Sequence, residues 1–195
     1  MCIMEKVTLR HIYERTRYLL TKPNVEWSLI MDEHHEPKGL LKSYLLPIAV
    51  ISSLPIFLFG FFHYSMMQTV GYGLINLPAS LIGIWVAYLI TREFLSNKLP
   101  NADNTALSLI VYSGTIFVVF HSLGIALGNG FFGQLCTLVS FIFIRTLYIG
   151  IRQIKELPNG QQTNLLVIAA LSIICIPVII AQILTIIFGI SAFNI

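Results

Sequence analysis

The stretch SYLLPIAVISSLPIFLFGFFHYSMMQTVGYGLINLPASLIGIWVAYLIT, residues 43–91, decides the fold, because its 49 consecutive residues contain no Asp, Glu, Lys or Arg. A bilayer core about 30 Å thick takes roughly 20 helical residues at 1.5 Å each, so the run is long enough to cross twice. His63, Tyr64 and Ser65 break it near the middle and divide it into spans over 44–62 and 71–91. Lipid offers no partner to an open backbone N–H or C=O, so each crossing segment must be a helix.

The same reasoning extends outward. Residues 104–144 form a second charge-free run of 41, split by Gly128, Asn129 and Gly130 into spans over 106–127 and 131–150. After Glu156 come 39 more uncharged residues, of which 157–164 are polar and 165–190 form a fifth span. That span holds 17 Leu, Ile, Val or Phe residues, which favour insertion by about 5 to 10 kcal/mol at roughly 0.3 to 0.6 each. The expected architecture is all-α and polytopic: a cytoplasmic head over residues 1–43, then five transmembrane helices over 44–190. Composition agrees, since 56% hydrophobic and 11% charged residues among 195 cannot supply a water-soluble surface.

Twelve Lys and Arg against nine Asp and Glu give a net charge of +3, too little and too clumped for a nucleic-acid binder. All twelve basic residues fall on one side of the five-span plan, in the head, between spans two and three, or at the close of span four. The positive-inside rule then puts the N-terminus in the cytoplasm and the C-terminus outside, in the inner membrane if the cell is bacterial. The first 20 residues mix acids and bases with too short an apolar run for a cleavable signal. Cys2, Cys136 and Cys175 differ too much in depth for a disulfide, and no cofactor is implied. Asp32, Glu33, His34, His35 and Glu36 lack a metal-ligand spacing and read as a solvated acidic helix end.

Within the head, Pro23 separates two short helices. The first is amphipathic and basic, suited to the anionic inner leaflet or to solvent. In the second, Asn24 is the expected cap and Trp27 suits a membrane interface, with Arg17 and Glu26 beside it as the candidate interfacial residues.

One ordered set of residues runs through the chain: Arg17, Leu19, Leu20, Pro23, Glu26, Trp27, Ile30 and Glu33 in the head, then Leu40, Leu41, Tyr44, Leu45, Leu46 and Pro47. Ala106, Leu109, Tyr112 and Ser113 open span three, Leu147, Tyr148 and Gly150 close span four, and Leu157 and Pro158 follow it. In this order the chain resembles the Yip family of Ypt/Rab-interacting multi-pass membrane proteins, in its bacterial branch, over roughly residues 15 to 190. The resemblance implies five spans behind a cytoplasmic head and does not imply catalysis. In eukaryotic members it implies prenylated small-GTPase binding and a role in membrane trafficking or shaping. Those members have a longer head than the 43 residues here. Gly71, Tyr72 and Gly73 are similar to a family motif but fall at an outer loop on this plan, so no function is carried to them.

Outside the resemblance, Asn76, His121, Gln134 and Gln182 lie about 5 to 12 Å below the outer surface by residue counting, with His63 above them. They form a candidate polar layer, which is either a small site for a head group or solute or interhelical hydrogen-bond glue. Arg145, Tyr148 and Arg152 form a candidate inner basic-aromatic face, either a topology anchor or a site for anionic head groups. Ala79, Gly83 and Ala87 on span two, and Gly124 with Gly128 on span three, recur at four-residue intervals that allow close helix approach. No span contains Asp or Glu, which removes aspartyl intramembrane proteolysis and carboxylate ion relays. The leading reading is a non-enzymatic membrane-organising or adaptor protein that meets the lipid bilayer, anionic head groups and a membrane or cytoplasmic protein partner. The alternative is a small transporter using the polar layer. Oligomeric state is open.

Overall fold

The computed structural model describes residues 9–33 and 37–190. Five helices are long and apolar enough to cross a membrane, Leu41–Phe62, Met66–Ser96, Ala102–Ala126, Phe131–Arg152 and Asn159–Ile187, and the described residues contain no strand. The fold is therefore the all-α five-span architecture expected from the charge-free runs. In chain order the elements are α1 (Leu9–Thr21), α2 (Pro23–Asp32) and the single turn α3 (Pro37–Leu40). A π turn over Leu41–Leu45 then leads into α4 (Leu46–Phe59), closed by a 3₁₀ turn at Gly60–Phe62. They continue as α5 (Met66–Ser96), α6 (Ala102–Ala126), α7 (Phe131–Ser140), α8 (Ile142–Arg152) and α9 (Asn159–Ile187).

Two boundaries differ from expectation for identifiable reasons. Helix α5 starts at Met66 because Ser65 and Gln68 form a reciprocal capping box: the Gln68 N–H donates to Ser65 Oγ at 3.3 Å and the Ser65 N–H to Gln68 Oε1 at 3.1 Å. Gly71, Tyr72 and Gly73, expected at an outer loop, consequently lie inside the helix. There Tyr72 is buried edge-on against Tyr64, with ring centroids 5.1 Å apart. In the head, α2 starts with Pro23 itself as a first-turn residue, where its missing N–H costs nothing. The preceding Lys22 is the cap residue, so Asn24 lies inside the helix and does not cap it.

Helix α6 is the axis of the bundle, with 72% of its apolar window buried against 28% for α9. Helices α4, α5, α7 and α8 pack around it, and α9 leans on α5. The α5–α9 contact turns on Gly83, where a Cβ would lie 2.5 Å from Pro177 Cγ and 2.7 Å from its Cα. Pro177 removes a backbone donor from α9, and Gly83 lets its ring and backbone close onto α5. Ala79 and Ala87 are buried on the same stripe. Span four is not one continuous helix, since Phe141, at ψ −8°, separates α7 from α8 through short i→i+3 bonds.

The two ends of the bundle differ in chemistry. At one end His63 lies beside Gly128, which takes φ +66° to turn the chain, and Ile190 lies beside Gly71. At the other end gather α1 and α2, the α5–α6 connection with its Arg92–Asp103 ion pair, and the connection after α8. The described Lys and Arg side chains belong to that second end.

Candidate functional site

Helices α1 and α2 form a hairpin docked on the basic end of the bundle. Pro23 cannot continue α1, so the chain reverses at Lys22 and lays both helices on one apolar surface. Ile12 and Leu19 from α1, with Trp27 and Ile30 from α2, are buried. Trp27, expected at a membrane interface, is fully enclosed. Its ring meets Tyr112 edge-on at 6.3 Å and covers Gly150, where a Cβ would lie 2.8 Å from the indole and 2.9 Å from Leu109.

Arg15 closes this contact. Its Nη1 donates to Glu33 Oε2 at 2.6 Å and to the Tyr112 hydroxyl at 3.0 Å, its Nη2 donates to Glu33 Oε1 at 2.5 Å, and its Nε lies 3.1 Å from Glu26 Oε1. The guanidinium also sits 5.5 Å from the Tyr112 ring centroid. Tyr112 packs at 4.7 Å against Tyr44, whose hydroxyl shares a 2.9 Å hydrogen bond with Thr16 on α1. The Asn104 amide of α6 donates to the Glu33 carbonyl at 2.8 Å. One cation thus joins Glu26 of α2 and Glu33 at its C-terminal cap to a tyrosine of the central helix.

The side chains of Arg15 and Glu26 are only about a tenth exposed, whereas Glu33 is 37% exposed. Burial opposes the Arg15 charge, but Glu33 and Tyr112 outweigh it and hold the guanidinium protonated well above its ordinary range. Burial raises the Glu26 carboxyl above the usual carboxylate range, and Arg15 only partly offsets it. Glu26 is therefore a buried acid that depends on its arginine.

The residue types single out Glu26 and Trp27 in the head but point to Arg17 rather than Arg15; Arg17 is exposed on α1 with no side-chain partner among the described residues. A signal was available. Glu26, Ile30 and Glu33 share one face at four- and seven-residue spacing, and two carboxylates on a face carrying buried Ile30 require a cation. The residues that carried the family resemblance, Glu26, Trp27, Glu33, Tyr44, Tyr112 and Gly150, come from four separate stretches and meet here.

The outer polar layer is only partly assembled. Asn76 is buried and its amide donates to Ser53 Oγ at 3.0 Å and Ser122 Oγ at 2.9 Å, tying α5 to α4 and α6. His121 stacks on Phe117 at 5.1 Å and shares with Asn76, Ser80 and Pro177 a cavity of about 20 Å³. Gln134 is exposed and its amide donates to the Asn129 carbonyl at 3.3 Å in the turn between α6 and α7, while Gln182, half-buried on α9, does not line that cavity. Ser53 and Ser122 gave no signal, since a membrane serine ordinarily bonds its own helix, as Ser53 does with the Ala49 carbonyl at 2.9 Å.

Arg145, Tyr148 and Arg152 are all exposed on α8, with Arg152 Nε donating to the Tyr148 hydroxyl at 2.9 Å. Gly124 packs against Thr137 and Gly133, so the small-residue spacing on α6 serves a contact with α7 inside the chain. Cys136 and Cys175 are free thiols, and Cys2, His34, His35 and Glu36 lie outside the described residues. Among the described residues no group of three His, Cys, Asp or Glu is placed to hold a metal ion.

The model of the Yip1 domain matches residues 17–182. No curated protein and no solved structure matches the chain.

Proposed function

Because this multi-pass integral membrane protein belongs to the Yip1 domain family, we propose that it works as a non-enzymatic membrane-organising adaptor whose docked α1–α2 head receives a partner on the cytoplasmic face. The observation that carries this is the Arg15 clamp. A head that served only as a solvated tether would not place one arginine on two acids and a tyrosine of the central helix. While its inner face is held on the bundle, α2 leaves Val25 and Leu29 exposed four residues apart, an apolar pair on a rigid support suited to a protein partner. The basic residues at the head's end support a cytoplasmic N-terminus and an outer C-terminus.

The size of the polar cavity supports this reading over transport. About 20 Å³ admits one water-sized species, far below the roughly 300 Å³ at which small-molecule sites begin. Asn76 and His121 then act as packing glue between helices.

Removing the whole head would strip Trp27 from Gly150 and Leu109, so a surface substitution tests the proposal better. The tagged chain, extracted from its native membrane in mild detergent, is compared with Val25→Asp/Leu29→Asp after insertion and thermal unfolding are matched. A reproducible protein partner lost in the variant supports the adaptor role, and a small GTPase among the partners extends it to the trafficking function of eukaryotic relatives. Equal recovery of every partner by both proteins overturns the head as the docking surface.

A further inference from the structure

The outward stripe of span four changes chemistry partway along. Leu135, Leu138 and Phe141 are all exposed at helical spacing, and the same stripe continues through Arg145, Tyr148 and Arg152, also exposed. The first three face acyl chains in a spanning helix, so Arg145, about one turn further on, leaves its Cα at the edge of the same medium. Seven residues separate it from Arg152, about 10.5 Å along the axis. Arg152 is already oriented, its guanidinium 5.1 Å from the Tyr148 ring centroid and its Nε on the Tyr148 hydroxyl.

Three of the other arginines are neutralised by acids, and Arg145 is not. Arg10 pairs with Glu14, Arg15 with Glu26 and Glu33, and Arg92 with Asp103. Arg17, without a side-chain partner among the described residues, lies in the head outside the spans. Arg145 has no hydrogen-bond or ion-pair partner among the described residues, and none of the span residues near it is an acid. A guanidinium emerging through the hydrocarbon boundary must be solvated there, and its planar fork matches a phosphate with two parallel hydrogen bonds.

We infer that Arg145 and Arg152, with Tyr148 between them, form a binding site for the phosphate of an anionic phospholipid in the leaflet on the head's side. The two guanidiniums stand at different depths, which suits a phosphate held at the acyl–headgroup boundary. The site goes beyond the adaptor reading and rests on it only in naming that leaflet as cytoplasmic.

The test is native mass spectrometry of the purified full chain in mild detergent, titrated with phosphatidylglycerol, with phosphatidylcholine and inorganic phosphate as comparison probes. The wild type should retain one phosphatidylglycerol at least about tenfold more tightly than Arg145→Gln/Arg152→Gln. Arg145→Lys keeps the charge and would serve an anchor equally well, but it loses the fork and should also weaken retention. Arg92→Gln, in the connection between α5 and α6, should bind as wild type. Thermal unfolding and size-exclusion profiles establish that each variant is folded. Equal retention by the double variant overturns the site, as does equal retention of phosphatidylcholine or loss of bound lipid to millimolar inorganic phosphate. No protein partner is present in this assay, so its failure and that of the adaptor reading are separate results.

Discussion

Replacing Arg15 by Gln should release the head from the bundle without unfolding the spans. The substitution removes both bonds to Glu33, the contact with Glu26 and the bond to Tyr112. Breaking a buried pair by deleting one partner costs about 3 to 5 kcal/mol. Because Glu33 is more than a third exposed and regains water, the lower end applies, roughly 3 kcal/mol, most of it from the stranded Glu26 carboxylate. At 1.4 kcal/mol per factor of ten, the ratio of docked to released head falls by about 150-fold. The assay is hydrogen exchange by mass spectrometry on peptides from residues 9–33 in lipid nanodiscs, with peptides from α6 as internal reference. Head amides should exchange about a hundredfold faster while those of α6 stay protected. Adding Glu26→Gln to the variant should restore part of the protection by removing the uncompensated charge. Head exchange within threefold of wild type would refute the clamp.

Four further outcomes follow from the same geometry. Burial raises the Glu26 carboxyl above its unfolded value, so the docked head binds more protons there than the released one; in Arg15→Gln, which loses the offsetting cation, head protection should increase as pH falls from 7 toward 5, read by the same exchange. Gly150→Leu should displace Trp27, since even a Cβ would lie 2.8 Å from the indole, lowering stability by about 1 to 3 kcal/mol and shifting tryptophan emission to longer wavelength. Gly83→Leu forces α5 from the backbone of Pro177 and should lower the thermal midpoint in detergent by a comparable overpacking cost of about 1 to 3 kcal/mol, whereas Ser96→Leu, exposed at the end of α5, should not. Asn76→Ala removes the donor shared by Ser53 and Ser122 and should cost about 0.6 to 2 kcal/mol in thermal unfolding, with insertion intact.

The spans were legible because lipid imposes one rule on every residue: 49- and 41-residue runs without charge admit a pair of helices each. Boundaries were less legible where a local hydrogen bond overrode hydropathy. Ser65 and Gln68 extend α5 into what read as a loop, although the Ser-x-x-Gln spacing was there to be seen. The head site was half legible. Glu26 and Trp27 stood out by type, but hydropathy ranks Trp27 as interfacial and cannot know that Gly150, more than a hundred residues away, leaves a place for its ring. Arg15 and Arg17 are equivalent in composition, and only the helix face separates them: Arg15 lies three residues after Ile12 and four before Leu19, on the buried side, whereas Arg17 is exposed. The polar layer was legible in depth but not in azimuth, which residue counting does not give: Asn76 points inward while Gln134 bonds back to the turn between α6 and α7.

The most direct measurement of the adaptor role is site-specific photo-crosslinking in native membranes, with a photoreactive residue at Val25 or Leu29 on the exposed face of α2 and, for comparison, at Phe62 in the turn that closes α4 at the other end of the bundle. A discrete protein adduct is expected from the head positions, absent from Phe62 and lost when Arg15→Gln releases the head. Adducts to lipid alone from Val25 and Leu29, or the same protein adduct from Phe62, would contradict the adaptor role.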